Sequence, residues 1–131
     1  MRKNLLNSNS LILNAHDEAF VINPELVIYM QADDHYTHVY YTADSHFMVP
    51  YGLGAMEERF QNCLQADNPF VRLGRKYIVN TDYLFRVNTM KEVVSLVDRQ
   101  SNTIELHLAK PVVRNLIEML KGKDEEVHEN K

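Results

Sequence analysis

Cysteine occurs once in this sequence, as Cys63, so the chain can form no internal disulfide and is compatible with a reducing compartment. Glycine and proline number four each, with no low-complexity run and no internal repeat, which confines expected disorder to the ends. Long apolar runs are missing as well. The one nearest the start, Leu11-Ile12-Leu13, is cut by Asn14 and followed by Asp17 and Glu18, too short and too interrupted for a signal peptide or a membrane span. There is no glycine-rich phosphate loop, no cysteine pair, and no serine or cysteine beside an evident base, so neither catalysis nor a cofactor is expected.

A metal reading has to begin with Asp33, Asp34, His35 and His38, two acids and two imidazoles within six residues. His35 and His38 stand three places apart on a predicted strand and so point to opposite faces, which argues against shared coordination. No metal site is expected.

What is present suits one folded domain. The chain has 131 residues, of which 45% are apolar and 24% charged, enough to bury a core. The net charge of -4 is unevenly spread: residues 21–69 hold seven acids and one base, whereas residues 70–115 hold eight bases and four acids. Such polarity can leave a basic face on an acidic protein, and the local field is what a phosphate backbone feels.

Residues 1–20 read as an arm, flexible or packed along an edge. Leu26 to Gln31 and Tyr36 to Thr42 alternate as strands about the break Ala32-Asp33-Asp34-His35. A turn at Ala43-Asp44-Ser45 leads to a third strand, His46 to Pro50. From Leu53 the period changes, with Leu53, Met56, Phe60 and Leu64 at helical spacing until Asp67-Asn68-Pro69. Cys63 lies in or beside that stripe and is expected to be an inert, buried thiol. Two strands flank Gly74-Arg75-Lys76, and Tyr83 to Asn88, Val93 to Val97 and Thr103 to Leu108 complete a set of eight. An exposed loop is expected at 98–102. A final helix opens at Pro111, presents Val112, Val113, Leu116, Ile117 and Leu120, and is expected to stop at Gly122 before a charged tail over 122–131. The predicted class is mainly β with two short helices.

The stretch Phe70-Val71-Arg72-Leu73-Gly74-Arg75-Lys76-Tyr77-Ile78-Val79-Asn80 sets a basic break between two apolar runs, with Asp82 two places on. Together with Leu26-Val27-Ile28-Tyr29-Met30-Gln31-Ala32-Asp33-Asp34-His35-Tyr36-Thr37, it resembles the signature of the LytTR family of bacterial DNA-binding domains. The resemblance runs from about Val21 to Leu120, with the elements in family order. It implies an elongated stack of small antiparallel sheets over residues 21–121. It also implies DNA recognition by loops at the sheet edge: two loops in successive major grooves and one across the minor groove between them.

Carried onto this sequence, the first loop offers His35, Tyr36, Thr37 and His38, which read equally as ordinary strand-end surface. The central loop offers Gly74, Arg75 and Lys76, the two bases being suited to phosphate or to a narrow minor groove. Arg72 either meets phosphate or packs at the sheet edge. Lys110 keeps a charge where relatives commonly show arginine, but lacks the fork that reads guanine, and so is assigned to phosphate. Arg114 either adds a phosphate contact or lies on a solvated helix face. Asn80 is expected to cap a turn through its side chain. Cations at these strand ends are expected to converge along one side of the molecule.

The chain departs from the family at Gly74, where many relatives have histidine, and at Lys76, where they have a small hydroxyl residue. The expected function is sequence-specific binding of double-stranded DNA at direct repeats by a cytoplasmic bacterial transcription regulator. It is expected to be a monomer in solution, with two copies per DNA site and no membrane partner. Relatives commonly carry a receiver or a membrane segment ahead of this module, and the residues before Val21 read as neither, so a separate receiver or sensor protein is a further expected partner. The rival reading is a protein-interaction module that uses the same fold to bind a receiver or a second copy without DNA.

Overall fold

The computed structural model describes residues 10–123. The chain divides into two compact units, one reaching to Asp82 and one starting at Tyr83. Among the described residues, ten strands form three antiparallel sheets, and no helix is long and apolar enough to cross a membrane.

The first unit opens with β1 (Leu11–Ala15) and β2 (Glu18–Ile22), an antiparallel hairpin that turns through His16 at a positive φ of 55°. These residues were expected to form an arm. Instead Leu11, Leu13 and Ile22 alternate into the core while Ile12 and Val21 stay exposed, the period-2 pattern of a half-buried strand. The two strands raise the total from the expected eight to ten.

Asn23 then caps a short 3₁₀ turn, Pro24–Leu26, its Oδ1 accepting the Glu25 amide at 3.1 Å. That turn consumes residues expected in the first strand, so β3 covers Tyr29–Asp33 and pairs with β4, Tyr36–Tyr40. The amides of Tyr41 and Thr42 are spent on the Ser45 carbonyl, which ends β4 early and starts β5, His46–Val49. After α1 (Leu53–Leu64) come β6 (Phe70–Leu73) and β7 (Tyr77–Asn80), giving a five-stranded sheet in the order β5-β4-β3-β7-β6.

One stripe of α1 covers one face of this sheet. Leu53, Met56 and Phe60, spaced three and four apart, meet Met30, Val39, Val49 and Ile78, and the β1–β2 hairpin closes the same cluster. Burying Phe60 contributes about 1.5–3 kcal/mol relative to leaving it in water. Gln65, at a φ of 52°, ends the helix, and Pro69 follows a 3₁₀ turn over Gln65–Asp67. Cys63 packs against the core but is only half-buried, less covered than the buried thiol expected from its place beside the stripe.

The second unit is a three-stranded sheet in the order β10-β9-β8, from β8 (Leu84–Asn88), β9 (Val93–Val97) and β10 (Thr103–His107), followed by α2 (Lys110–Lys123). Asp98 is buried and its Oδ1 accepts the amides of Gln100 and Asn102 at 2.9 Å each, which fixes the β9–β10 loop expected at 98–102. Phe85 sits at a register shift opposite β9 and is 66% exposed. Gly122 lies inside α2 and does not end it; from residue 124 the charged tail falls outside the described residues.

Candidate nucleic-acid interface

In the first unit, antiparallel pairing brings two of the candidate loops to one end of the five-stranded sheet. Asp33 pairs with Tyr36, leaving Asp34 and His35 as a two-residue turn between β3 and β4, with Asp34 at a positive φ of 57°. Gln31 of β3 pairs with Tyr77 of β7, so the turn Gly74-Arg75-Lys76 lies beside it. The Ala32 amide donates to the Lys76 carbonyl at 2.8 Å and ties the two turns together.

The Gly74–Lys76 turn is clamped at both ends. Gly74 has a φ of 66°, the left-handed region that glycine enters without steric cost, and its carbonyl accepts from Arg72 Nε at 2.9 Å. Arg72 also donates through Nη1 to Glu57 Oε1 at 2.9 Å, so its guanidinium joins α1 to the turn. Between the clamps Arg75 stands exposed, with no side-chain hydrogen bond or ion pair among the described residues. Lys76 is exposed too, its Nζ 5.8 Å from the centroid of the Tyr77 ring.

The first loop divides into outward and inward groups. His35 is 91% exposed at its side chain and Tyr36 is 46% exposed, whereas Thr37 is fully buried. Thr37 Oγ1 donates to the Tyr51 carbonyl at 2.7 Å, so its hydroxyl is not presented to a ligand. This corrects the inclusion of Thr37 among the contact residues. The cause is strand parity, since Thr37 and Val39 face the core while Tyr36, His38 and Tyr40 face away. His38 is mostly covered: Nε2 lies 2.8 Å from Asp33 Oδ2, and the ring meets His46 edge-on at 4.9 Å. Beyond it His46 stacks on Tyr40 at 4.5 Å, and Tyr40 on Tyr29 at 4.3 Å. Burial, with Tyr40 and Tyr77 nearby, raises the Tyr29 phenol well above the ordinary tyrosine value.

Behind the turn, Asn80 does what its place in the sequence suggests and more. Its Oδ1 accepts the Asp82 amide at 2.9 Å and its Nδ2 donates to the Val27 carbonyl at 3.0 Å, with the residue 1% exposed. The same side chain therefore caps the end of β7 and joins it to the lead-in of β3.

In the second unit, Lys110 is the first residue of α2 and Arg114 stands one turn later, both exposed. At this spacing they share a helix face. Sequence reasoning missed two neighbours. The Leu108 amide donates to the Glu92 carbonyl at 3.0 Å, which brings Lys91 and His107 to a shallow depression of about 280 Å³ lined also by Glu92, Leu108 and Ala109. Pairing of β9 with β10 sets the residues just before β9 beside those just after β10 and creates that neighbourhood, and nothing in either local pattern marks it. Glu57 was missed as well, read only as part of the solvated side of α1.

Comparison with known proteins agrees with this architecture. The LytTr DNA-binding domain family matches residues 17–121. Among solved structures, a LytTr DNA-binding domain from Bacillus cereus superposes with a TM-score of 0.58, covering 85% of this chain and 95% of that one at 18% identity. A likeness at that identity shows the fold. No curated protein matches the chain. The family match spans well over half of the sequence and includes both motifs and every element from β3 to β10, and the chain belongs to the LytTr DNA-binding domain family.

Proposed function

We propose that the chain is the sequence-specific DNA-binding module of a cytoplasmic bacterial transcription regulator, contacting duplex DNA through strand-end loops. The observation that carries this is the Gly74–Lys76 turn, in which two exposed cations are held on a clamped backbone beside the exposed His35 and Tyr36. Cations fixed before binding lose less freedom when they meet phosphate. Arg75 and Lys76 take the backbone or the narrow groove, and His35 and Tyr36 supply donors and acceptors to base edges. In the second unit Lys110 and Arg114 take phosphate from one face of α2. Two copies occupy a direct repeat. Carboxylates of Asp33 and Asp34 at the same end limit nonspecific affinity, because they repel the backbone where no base contact compensates.

The test is binding to duplex DNA across a salt series. Each phosphate neutralised contributes about 0.9 to the negative log-log slope, so several contacts give a slope of several units. Arg75→Ala weakens binding by about 1–3 kcal/mol if the guanidinium makes a close contact. Affinity indifferent to salt, or unchanged in Arg75→Ala with the fold intact, overturns the reading.

A further inference from the structure

We infer that Glu57, an acid on α1, is a positioning residue for DNA binding that acts through Arg72 on the basic turn. The inference rests on the DNA-binding reading and adds to it a prediction of unexpected sign. Taken as a plain surface charge, a carboxylate beside a phosphate-binding turn opposes binding, and removing it should strengthen affinity for a polyanion. The geometry points the other way.

Arg72 lies on β6 with its guanidinium held from two sides: Nε reaches the Gly74 carbonyl and Nη1 reaches Glu57 Oε1, each at 2.9 Å. A guanidinium is planar and rigid, so fixing Nη1 orients Nε, and Nε in turn orients the first peptide of the turn. That peptide belongs to the residue with most freedom to move, Gly74 at a φ of 66°. At the other end the Ala32 amide already holds the Lys76 carbonyl. With both clamps in place the backbone on either side of Arg75 is set; with Glu57 gone the first clamp swings, and Arg75 must be ordered again when DNA binds. Arg72 itself is engaged with the protein, and this assigns it to positioning in place of phosphate contact.

The probe is the duplex that the wild-type chain enriches from random DNA. Glu57→Ala should weaken binding about two- to tenfold, the cost of ordering a long side chain and its backbone at the moment of binding. Glu57→Gln keeps an acceptor at the same place and should weaken it less. In an Arg72→Ala background, Glu57→Ala should produce no further loss, because nothing remains to transmit it. The wild type and the four variants should melt within a few degrees of one another, since an exposed ion pair contributes about 0–1 kcal/mol. In the free protein, amide relaxation should show residues 74–76 becoming mobile in Glu57→Ala and not in Glu57→Gln. Binding by Glu57→Ala as tight as wild type or tighter, or an equal loss in the Arg72→Ala background, overturns the inference. A wild-type chain that enriches no duplex removes the DNA-binding reading instead, and mobility unchanged at residues 74–76 then removes this one independently.

Discussion

Replacing Asn80 with alanine separates a structural signature residue from a contact residue, and its cost can be worked from the geometry. Asn80 is 1% exposed, receives the Asp82 amide and donates to the Val27 carbonyl. Truncation leaves a buried carbonyl without that donor and a half-buried turn without its acceptor. Leaving a buried polar group unsatisfied costs about 1–3 kcal/mol, and losing a partly exposed hydrogen bond about 0.5–1.5, so the expected total is about 2–4 kcal/mol. At roughly 2.1 cal/mol/K per residue, an unfolding entropy over 131 residues turns this into a fall in Tm of about 7–15 °C. Urea unfolding followed by circular dichroism reads it directly, with an unchanged m-value if the unfolded state is unaffected. Asn88 is the control. Its Oδ1 accepts only the exposed Lys91 amide at 3.0 Å, and Asn88→Ala should cost about 1 kcal/mol or less. Equal costs at the two positions would refute the reasoning, because they would mean that burial of the Asn80 network adds nothing.

Thr37→Val removes a buried hydroxyl and its bond to the Tyr51 carbonyl; we expect a loss of about 1 kcal/mol in stability with DNA affinity within about twofold of wild type, measured on the same preparation. Gly74→Ala forces a side chain into a φ of 66° and should cost about 1–2 kcal/mol, with DNA binding weakened as the turn relaxes. Lys110→Ala should lower the salt slope by about 0.9 with little change in sequence preference, as a lone phosphate contact requires. Tyr29 gives a pH signature. Its phenol is raised in the folded state, so the proton is held more tightly there than in the unfolded chain; stability is full below the ordinary tyrosine range and falls as pH rises through and beyond about 10. Tyr29→Phe should flatten that alkaline loss, which denaturant titrations between neutral and alkaline pH would show.

The fold was legible wherever periodicity was strong. The stripe of Leu53, Met56 and Phe60 marked α1, and the short β run from Thr103 to Leu108 marked β10, which the structure ends at His107. Boundaries failed where a turn competed for the backbone: Asn23 capped residues that looked like strand, and the Ser45 carbonyl took amides from the end of β4. The β1–β2 hairpin was missed because Leu11 and Leu13 were weighed as an apolar run and not as alternate residues on one face.

Within the site, Arg75 and Lys76 could be read directly, since a basic break between two apolar runs has to be a strand end. Thr37 could not, because its role follows from strand parity relative to a core that only the assembled sheet defines. Glu57 and Lys91 were hidden for a deeper reason: each is placed by residues distant in sequence, Arg72 in one case and Leu108 with its neighbours in the other. Long-range pairing made those neighbourhoods.

Selection of bound sequences from a pool of random duplex DNA asks most directly whether strand-end cations on this scaffold read a sequence. Enrichment of a short motif repeated in direct orientation, lost in Arg75→Ala, is the result predicted here. A folded chain that leaves the pool unenriched, at salt low enough to retain phosphate contacts, would contradict it.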